Sequence, residues 1–139
     1  MRPILILLLA LMAQPASAAW VKVYENDTSM FYVDPASIRK NGVLVSAWGI
    51  VNLKTQEPDG ALSKRALVEY DCKATRLRVL TIAAFSGPMA TGKLLATESK
   101  PGDWRPIESE SFFGKLVTSK RICFTGNPGF GHLQTRALT

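Results

Sequence analysis

The stretch of residues 67–93 constrains the fold most, because it holds the most regular apolar–polar alternation in the chain and one of its two cysteines. Alternation with a period of two residues is typical of β-strands that bury one face. A polar segment at residues 73–76 interrupts the alternation and predicts a hairpin turn. We therefore expect an antiparallel β-hairpin at the centre of the fold, closed by a glycine-flanked loop.

The position of the turn sets the predicted register of this hairpin. The register pairs Cys72 with Leu77, Asp71 with Arg78, Tyr70 with Val79, and Val68 with Thr81. One face then carries Ala66, Val68, Tyr70, Cys72, Leu77, Val79 and Ala83, and the other carries Leu67, Leu80 and Ile82. Since neither face is wholly polar, we expect both sides of the hairpin to be covered.

Shorter elements are predicted around the hairpin. Strands are expected at residues 20–24, 30–33, 43–54 and 94–98, and an extended connector at 104–107. Residues 34–39 are predicted to form one helical turn, because Asp34 is a good N-cap and Pro35 suits the first helical position.

The C-terminal part carries a helical pattern at residues 111–123, with Ser111 suited to cap its start. Apolar side chains follow at helical spacing, namely Phe112, Phe113, Leu116 and Val117. We therefore expect an α+β fold, in which a single antiparallel β-sheet of about six strands carries the C-terminal α-helix on one face. Residues 19–124 would form this domain, and residues 125–139 a disordered tail.

The N-terminal segment has the pattern of a secretory signal. Arg2 precedes an unbroken apolar run at residues 4–12, and residues 16–18 are the small Ala-Ser-Ala that a signal peptidase recognises. This pattern predicts a signal peptide of residues 1–18, and a retained anchor is the alternative. The mature protein is then expected in the periplasm or at the cell surface.

The cysteines, Cys72 and Cys123, are an even count in a chain predicted to be exported. Such a count predicts a disulfide, here one that ties the expected helix to the sheet. A metal site would need more ligands than these two side chains and His132, the single histidine. We therefore expect no metal ion.

The chain is basic, with a formal net charge of +6. An exported basic protein could contact anionic glycans, lipid head groups or acidic protein surfaces. A solvated surface without such a partner explains the charge equally well. Nucleic-acid binding is not expected, because most aromatic side chains fall at core-facing positions.

Residues 87–93 match G-x-x-x-x-G-K, the start of a phosphate-binding loop. However, Leu94 stands where a Ser or Thr would hold Mg²⁺, and no good helix follows to face a phosphate. We expect a strand-end turn that needs flexible glycines, and no nucleotide or other cofactor.

Catalytic groups are sparse. His132 lies in the predicted tail, so a nucleophilic Ser or Cys would lack a positioned base. The carboxylates that could meet as a catalytic pair, or else form ion pairs with Arg76, Arg78 or Arg105, are Glu69, Asp71, Glu98 and Asp103. The ion-pair interpretation is favoured, so no catalytic residue is assigned and the chain is not expected to be an enzyme.

Several runs of residues, taken in order, resemble the bacterial surface-adhesin protein E family. They are FYVDPASI at 31–38, LVEYDC at 67–72, RLRVL at 76–80, SGPM at 86–89 with TG at 91–92, and WRPI at 104–107. The resemblance spans about residues 20–123. It implies an exported bacterial protein with an antiparallel sheet, a C-terminal helix lying on it and a Cys–Cys link. The family is named for an outer-membrane adhesin that binds host matrix and plasma proteins. This chain departs from it in having no lipid-attachment Cys, no Pro-Gly-Ser at the helix entry, and a tail beyond Cys123.

The resulting functional hypothesis is an exported, non-enzymatic binding module whose protein partners, by the resemblance, are host matrix or plasma proteins. The alternative is a periplasmic envelope protein of housekeeping role without adhesion activity, and a small hydrolase ranks third. The candidate partner surface is the face with Leu67, Leu80 and Ile82, through which a homodimer could also form. Loops such as residues 54–63 folding over that face are the alternative.

Overall fold

The computed structural model describes residues 19–111, 113–114 and 122–123. Eight strands form one antiparallel sheet in this part of the chain. They are β1 Val21–Glu25, β2 Ser29–Val33, β3 Arg39–Asn41, β4 Leu44–Leu53, β5 Ser63–Asp71, β6 Arg76–Phe85, β7 Leu94–Glu98 and β8 Arg105–Pro106. The strand order is β1-β2-β4-β5-β6-β7, with β3 beside β4 and β8 beside β6.

The link between β2 and β3 is a 3-10 turn, Pro35–Ser37. Asp34 caps it, because the carboxylate Oδ1 accepts the Ala36 backbone N–H at 3.0 Å. The Ser37 hydroxyl accepts the backbone N–H of Trp48 at 2.9 Å, which attaches the turn to β4. The predicted helical turn at 34–39 therefore exists but is shorter, and β3 begins directly after it.

The predicted α+β class is wrong for the described residues, where an eight-stranded sheet accounts for nearly all regular structure. The short strands β3 and β8 were not predicted, since Arg39 was placed at the end of the helical turn and residues 105–106 in a connector, so the expected strand count was too low. The C-terminal helix predicted at 111–123 is not seen, and of that segment residues 112 and 115–121 lie outside the described part. Among the described residues there, Phe113 and Gly114 have helical backbone and Ser111 Oγ accepts the Gly114 N–H at 3.0 Å, but these two residues do not amount to a helix.

The register of the β5–β6 hairpin also differs from the prediction. Asp71 pairs with Arg76 rather than with Arg78, and Tyr70 pairs with Leu77. The cause lies in the turn, where the Asp71 carboxylate accepts the backbone N–H groups of Lys73 and Ala74 at 3.1 and 3.0 Å. This side-chain cap starts the turn at residue 72, before the polar run that had been used to place it.

A β-bulge at Leu80 shifts the register a second time. Val68 pairs with Val79 but Leu67 pairs with Thr81, so Leu80 has no partner on β5. Beyond the bulge, Ile82 lies opposite Ala66. Directly opposed residues share a face, and neighbours along a strand alternate between faces. Leu67 and Ile82 therefore lie on opposite faces of the sheet, which contradicts the predicted common face.

One face, here called the disulfide face, carries the core. Its buried members are Val33, Val45, Ala47, Val68, Tyr70, Ile107 and Ile122. Cys72 and Cys123 form a disulfide at its margin, as the even cysteine count predicted. Ile122 is 1 % exposed, and burial of such a side chain contributes about 1.5–3 kcal/mol. The described C-terminal residues thus close the hairpin end of this face.

Candidate binding face of the sheet

The opposite side of the sheet, here called the aromatic face, is built by the alternate residues of the same strands. Across β4, β5 and β6 it presents three rows, namely Ser46–Glu69–Arg78, Trp48–Leu67–Thr81 and Ile50–Arg65–Ala83. Apart from Ile50, the side chains in these rows are half-buried or exposed. This face therefore offers large side chains to a partner without unfolding the core beneath them.

Arg65 lies at the centre of an aromatic cluster on this face. Its guanidinium carbon is 5.5 Å from the ring centroid of Trp48 and 5.5 Å from that of Phe85. At exposed sites such a cation–π contact is worth about 0.5–1 kcal/mol. Arg65 is exposed, so the two rings hold a cation in place at the surface.

A second cluster surrounds Trp104, whose ring lies 4.6 Å from the guanidinium carbons of both Arg76 and Arg78. Each of these arginines is also paired with a carboxylate. Arg76 Nε contacts Asp71 Oδ2 at 3.0 Å, and Arg78 Nη2 contacts Glu69 Oε1 at 2.8 Å. The segment after β7 is thereby fixed to the aromatic face.

The carboxylates of this second cluster therefore have structural roles. The Ala74 backbone N–H first, and then the Arg76 guanidinium and the Lys73 N–H, hold the pKa of Asp71 below its ordinary value. Glu69 and Asp71 are each engaged by a different arginine, as the ion-pair interpretation predicted. This arrangement stabilises the ionised form of Asp71.

The glycine-rich loop at residues 86–92 covers the end of the aromatic face next to Phe85. Asn52 Oδ1 accepts the Met89 N–H at 2.7 Å, and Ser63 Oγ accepts the Ala90 N–H at 2.9 Å. Ser63 also donates to the Gly87 carbonyl at 2.6 Å. Asn52 and Ser63 are buried, and sequence reasoning missed both because these contacts join distant segments.

The same hydrogen bonds explain why the loop is not a phosphate cradle. A phosphate-binding loop offers free backbone N–H groups, whereas those of Met89 and Ala90 are donated to side chains of the protein. The glycines serve close packing, since a Cβ at Gly92 would lie 2.6 Å from Ser86 Oγ and 2.9 Å from the Gly87 nitrogen. The motif is therefore a folded strand connection.

The predicted partner surface is divided by the observed register. Leu67 lies on the aromatic face between Trp48 and Thr81. Leu80 occupies the bulge, and Ile82 lines a groove on the disulfide face. All three side chains are half-buried. Whether any of them contacts a partner stays a prediction, but they do not form one continuous patch.

Two depressions lie on the disulfide face. An apolar groove of about 240 Å³ is lined by residues that include Phe31, Val51, Leu53, Ala66 and Ile82. A wider depression of about 410 Å³ lies between β6 and the chain after β7, with Asp103, Arg105 and Glu108 among its lining residues. Within the described ranges, no group of three or more His, Cys, Asp or Glu side chains is placed to hold a metal ion.

Three parts of the earlier expectations lie outside the described residues, namely the signal peptide at 1–18, the tail at 125–139, and His132 within that tail. In the part of the chain that is described, no helix is long and apolar enough to cross a bilayer.

Comparisons with known proteins agree with this architecture. The profile of the family described as Surface-adhesin protein E matches residues 20–123. No curated protein matches the chain. The selenomethionine form of Haemophilus influenzae protein E has a TM-score of 0.58 at 16 % identity, over 75 % of this chain and 86 % of that one. Crystal form II of the same protein gives 0.55 at 15 % identity, over 75 % and 90 %. At such identity the likeness concerns the fold alone.

Proposed function

This chain belongs to the surface-adhesin protein E family, and from that premise we propose that it is an exported, non-enzymatic protein that binds protein partners through its aromatic face. The observation that carries the proposal is the half-exposed cluster of Trp48, Arg65 and Phe85. Tryptophan and arginine are enriched among the residues that dominate the binding energy of protein interfaces.

The difference in packing between the two faces supports the same proposal. The main hydrophobic cluster and the disulfide lie on one side, whereas on the other side Trp48, Leu67 and Phe85 are only half-buried. Leu67 and Trp48 supply apolar area at the centre of the aromatic face, and arginines surround them. A partner covering this area would bury large side chains that the monomer leaves half in solvent.

The identity of the partner separates two versions of the function. In the adhesin version the partner is a host matrix or plasma protein, and the protein is at the cell surface. In the alternative version the partner is an envelope protein and the protein stays in the periplasm. A second copy of the chain is a further occupant of the same face. The family membership favours the adhesin version.

Affinity capture with matched variants tests the proposal. The mature protein, Trp48→Ala and Val21→Ala would be immobilised and exposed to envelope extract and to host plasma. Val21 is 40 % exposed and lies opposite Val33 on the disulfide face, so it serves as the control for loss of a surface hydrophobic side chain. We expect specific proteins to be captured by the wild type and by Val21→Ala but lost with Trp48→Ala. Equal capture by all three would refute a role for the aromatic face.

Localisation decides between the two versions. Protease added to intact cells should digest the protein if it is at the surface and leave it whole if it is periplasmic. Sedimentation of the purified protein at increasing concentration would report self-association through the same face, and Trp48→Ala should then weaken it.

A further inference from the structure

Among the described residues, three arginines contact aromatic rings on the aromatic face, and they differ in whether a carboxylate also pairs with them. Arg76 and Arg78 each have a ring on one side and a carboxylate of the chain as ion-pair partner. The Arg65 guanidinium contacts two rings and, among the described residues, makes neither a hydrogen bond nor an ion pair. Within the described residues, two guanidiniums thus contact both the Trp104 ring and a carboxylate, whereas the Arg65 guanidinium contacts rings but no carboxylate.

The residues around Arg65 restrict which chemical group could pair with its guanidinium. Its directly opposed neighbours are Ile50 and Ala83, both apolar, and Ile50 is 1 % exposed. Glu69, on the same strand and face, is already bound to Arg78. The two aromatic rings attract the cation but have no oxygen atom that could accept a hydrogen bond. The N–H donors of Arg65 therefore remain available.

Resting on the proposed function, we propose that Arg65, which lies between Trp48 and Phe85, binds a carboxylate of the protein partner. This contact would determine the specificity of the aromatic face. The carboxylate belongs to an Asp or Glu side chain, or a C-terminus, with apolar side chains beside it that cover Trp48 and Leu67. A planar guanidinium with fixed orientation matches a carboxylate in a two-pronged geometry. Two rings fix the orientation here, which lowers the entropy lost on binding.

Lysine would not substitute for Arg65 in this role. An ammonium keeps the charge but loses the planar fork and stacks poorly between two rings. This distinction separates recognition of a carboxylate from general attraction between a basic protein and any anion.

A peptide array gives the test without knowledge of the natural partner. The probes are short peptides in which one Glu or Asp stands among apolar and aromatic residues, each paired with its Gln or Asn counterpart. Labelled mature wild-type protein, R65Q, R65K and R105Q would be applied. Arg105 is an exposed arginine on the other side of the sheet and is the matched control.

We expect a subset of acidic peptides to bind the wild type and R105Q at least about 10-fold better than their amide counterparts, in line with a charge-assisted hydrogen-bonded pair. R65Q should abolish that preference and R65K should retain little of it. Circular dichroism and melting curves of R65Q should match the wild type, because the side chain is exposed.

Acidic and amide peptides binding equally, or R65Q retaining the preference, would overturn the inference. So would stronger binding to heparin fragments or to phosphatidylglycerol vesicles than to any peptide, because the site would then recognise sulfate or phosphate. If the inference fails while Trp48→Ala still loses captured protein, the proposed function stands. If Trp48→Ala captures as the wild type does, the proposed function fails as well.

Discussion

The disulfide face and the aromatic face are made by alternate residues of the same strands, yet they are closed in different ways. Tyr70 on the disulfide face is 3 % exposed and packs under Phe113, with ring centroids 6.2 Å apart. Trp48 on the aromatic face is half-buried, and the Arg65 guanidinium carbon lies 5.5 Å from its ring centroid. The contrast teaches that alternation assigns residues to faces, but the segments outside the strands decide which face becomes the core.

The largest expected effect comes from truncating the core. Tyr70→Ala should lower the free energy of unfolding by about 3–5 kcal/mol, because it removes a buried aromatic ring and leaves a cavity. Urea unfolding followed by tryptophan fluorescence measures this loss. Tyr32→Ala, at a half-buried position, is the control and should cost clearly less. Equal losses would mean that the two faces contribute equally to stability.

Breaking the disulfide should have the second-largest effect on stability. Reduction, or Cys72→Ala with Cys123→Ala, should lower the free energy of unfolding by about 2–5 kcal/mol, the range for native disulfides in small domains. Melting curves with and without reductant measure it, and the double variant should be insensitive to reductant. Mass spectrometry of non-reduced digests should contain one Cys72–Cys123 peptide pair. A melting temperature unaffected by reductant would contradict the role given to this link.

Removing the loop anchor should cost less. Asn52→Ala removes a buried side chain and leaves the N–H of the half-buried Met89 without its acceptor, so we expect a loss of about 1–3 kcal/mol. Hydrogen exchange should show faster exchange at Met89 and Ala90, whose N–H groups bond to Asn52 and Ser63. Asn41→Ala, at an exposed strand position, is the matched control and should leave both readouts unchanged.

The smallest expected effect concerns Asp71. Its pKa is lowered from the ordinary value of 3.8, so its contribution to stability is complete above that pH and is lost as the pH falls through the lowered value. The effect is modest, because Arg76 is 44 % exposed and solvent screens the pair. Urea midpoints between pH 7 and pH 2 should fall less steeply in acid for Asp71→Asn than for the wild type. An unchanged slope would show that the pKa of Asp71 is not lower in the folded state than in the unfolded state.

Much of the sheet could be predicted from alternation and turn residues, including both strands of the hairpin and the strand at residues 94–98. The face of each residue could not be predicted throughout. The cap by Asp71 and the bulge at Leu80 each move the register, and no glycine marks the bulge. A register error carries every later side chain to a wrong neighbour or face, which is why Ile82 was misplaced.

The candidate site was harder still, since it depends on contacts between distant segments. Trp104 lies far along the chain from Arg76 and Arg78, and nothing in its local sequence indicates that its ring contacts both guanidiniums. The alternation of β4 does place Trp48 opposite to the face of Ala47, and this signal could have marked Trp48 as a surface aromatic. Ion pairs of Glu69 and Asp71 with arginines were anticipated, because opposite charges on paired strands attract. The expected partner of Asp71 was Arg78, however, and the observed partner is Arg76.

The two shortest strands have a consequence for how this protein behaves at high concentration. β3 and β2 share one side of β4, and β8 and β7 share the outer side of β6. Between β7 and β8, the Gly102 N–H donates to the Val79 carbonyl at 2.9 Å and fills the gap. The long strands therefore expose no extended row of unused backbone groups, and the outermost strands β1 and β7 have only 5 residues each. At high concentration, one copy of the chain therefore offers few unpaired backbone groups to a strand of another copy. The copies should remain separate molecules, whereas sheets with long exposed edge strands would assemble into fibres.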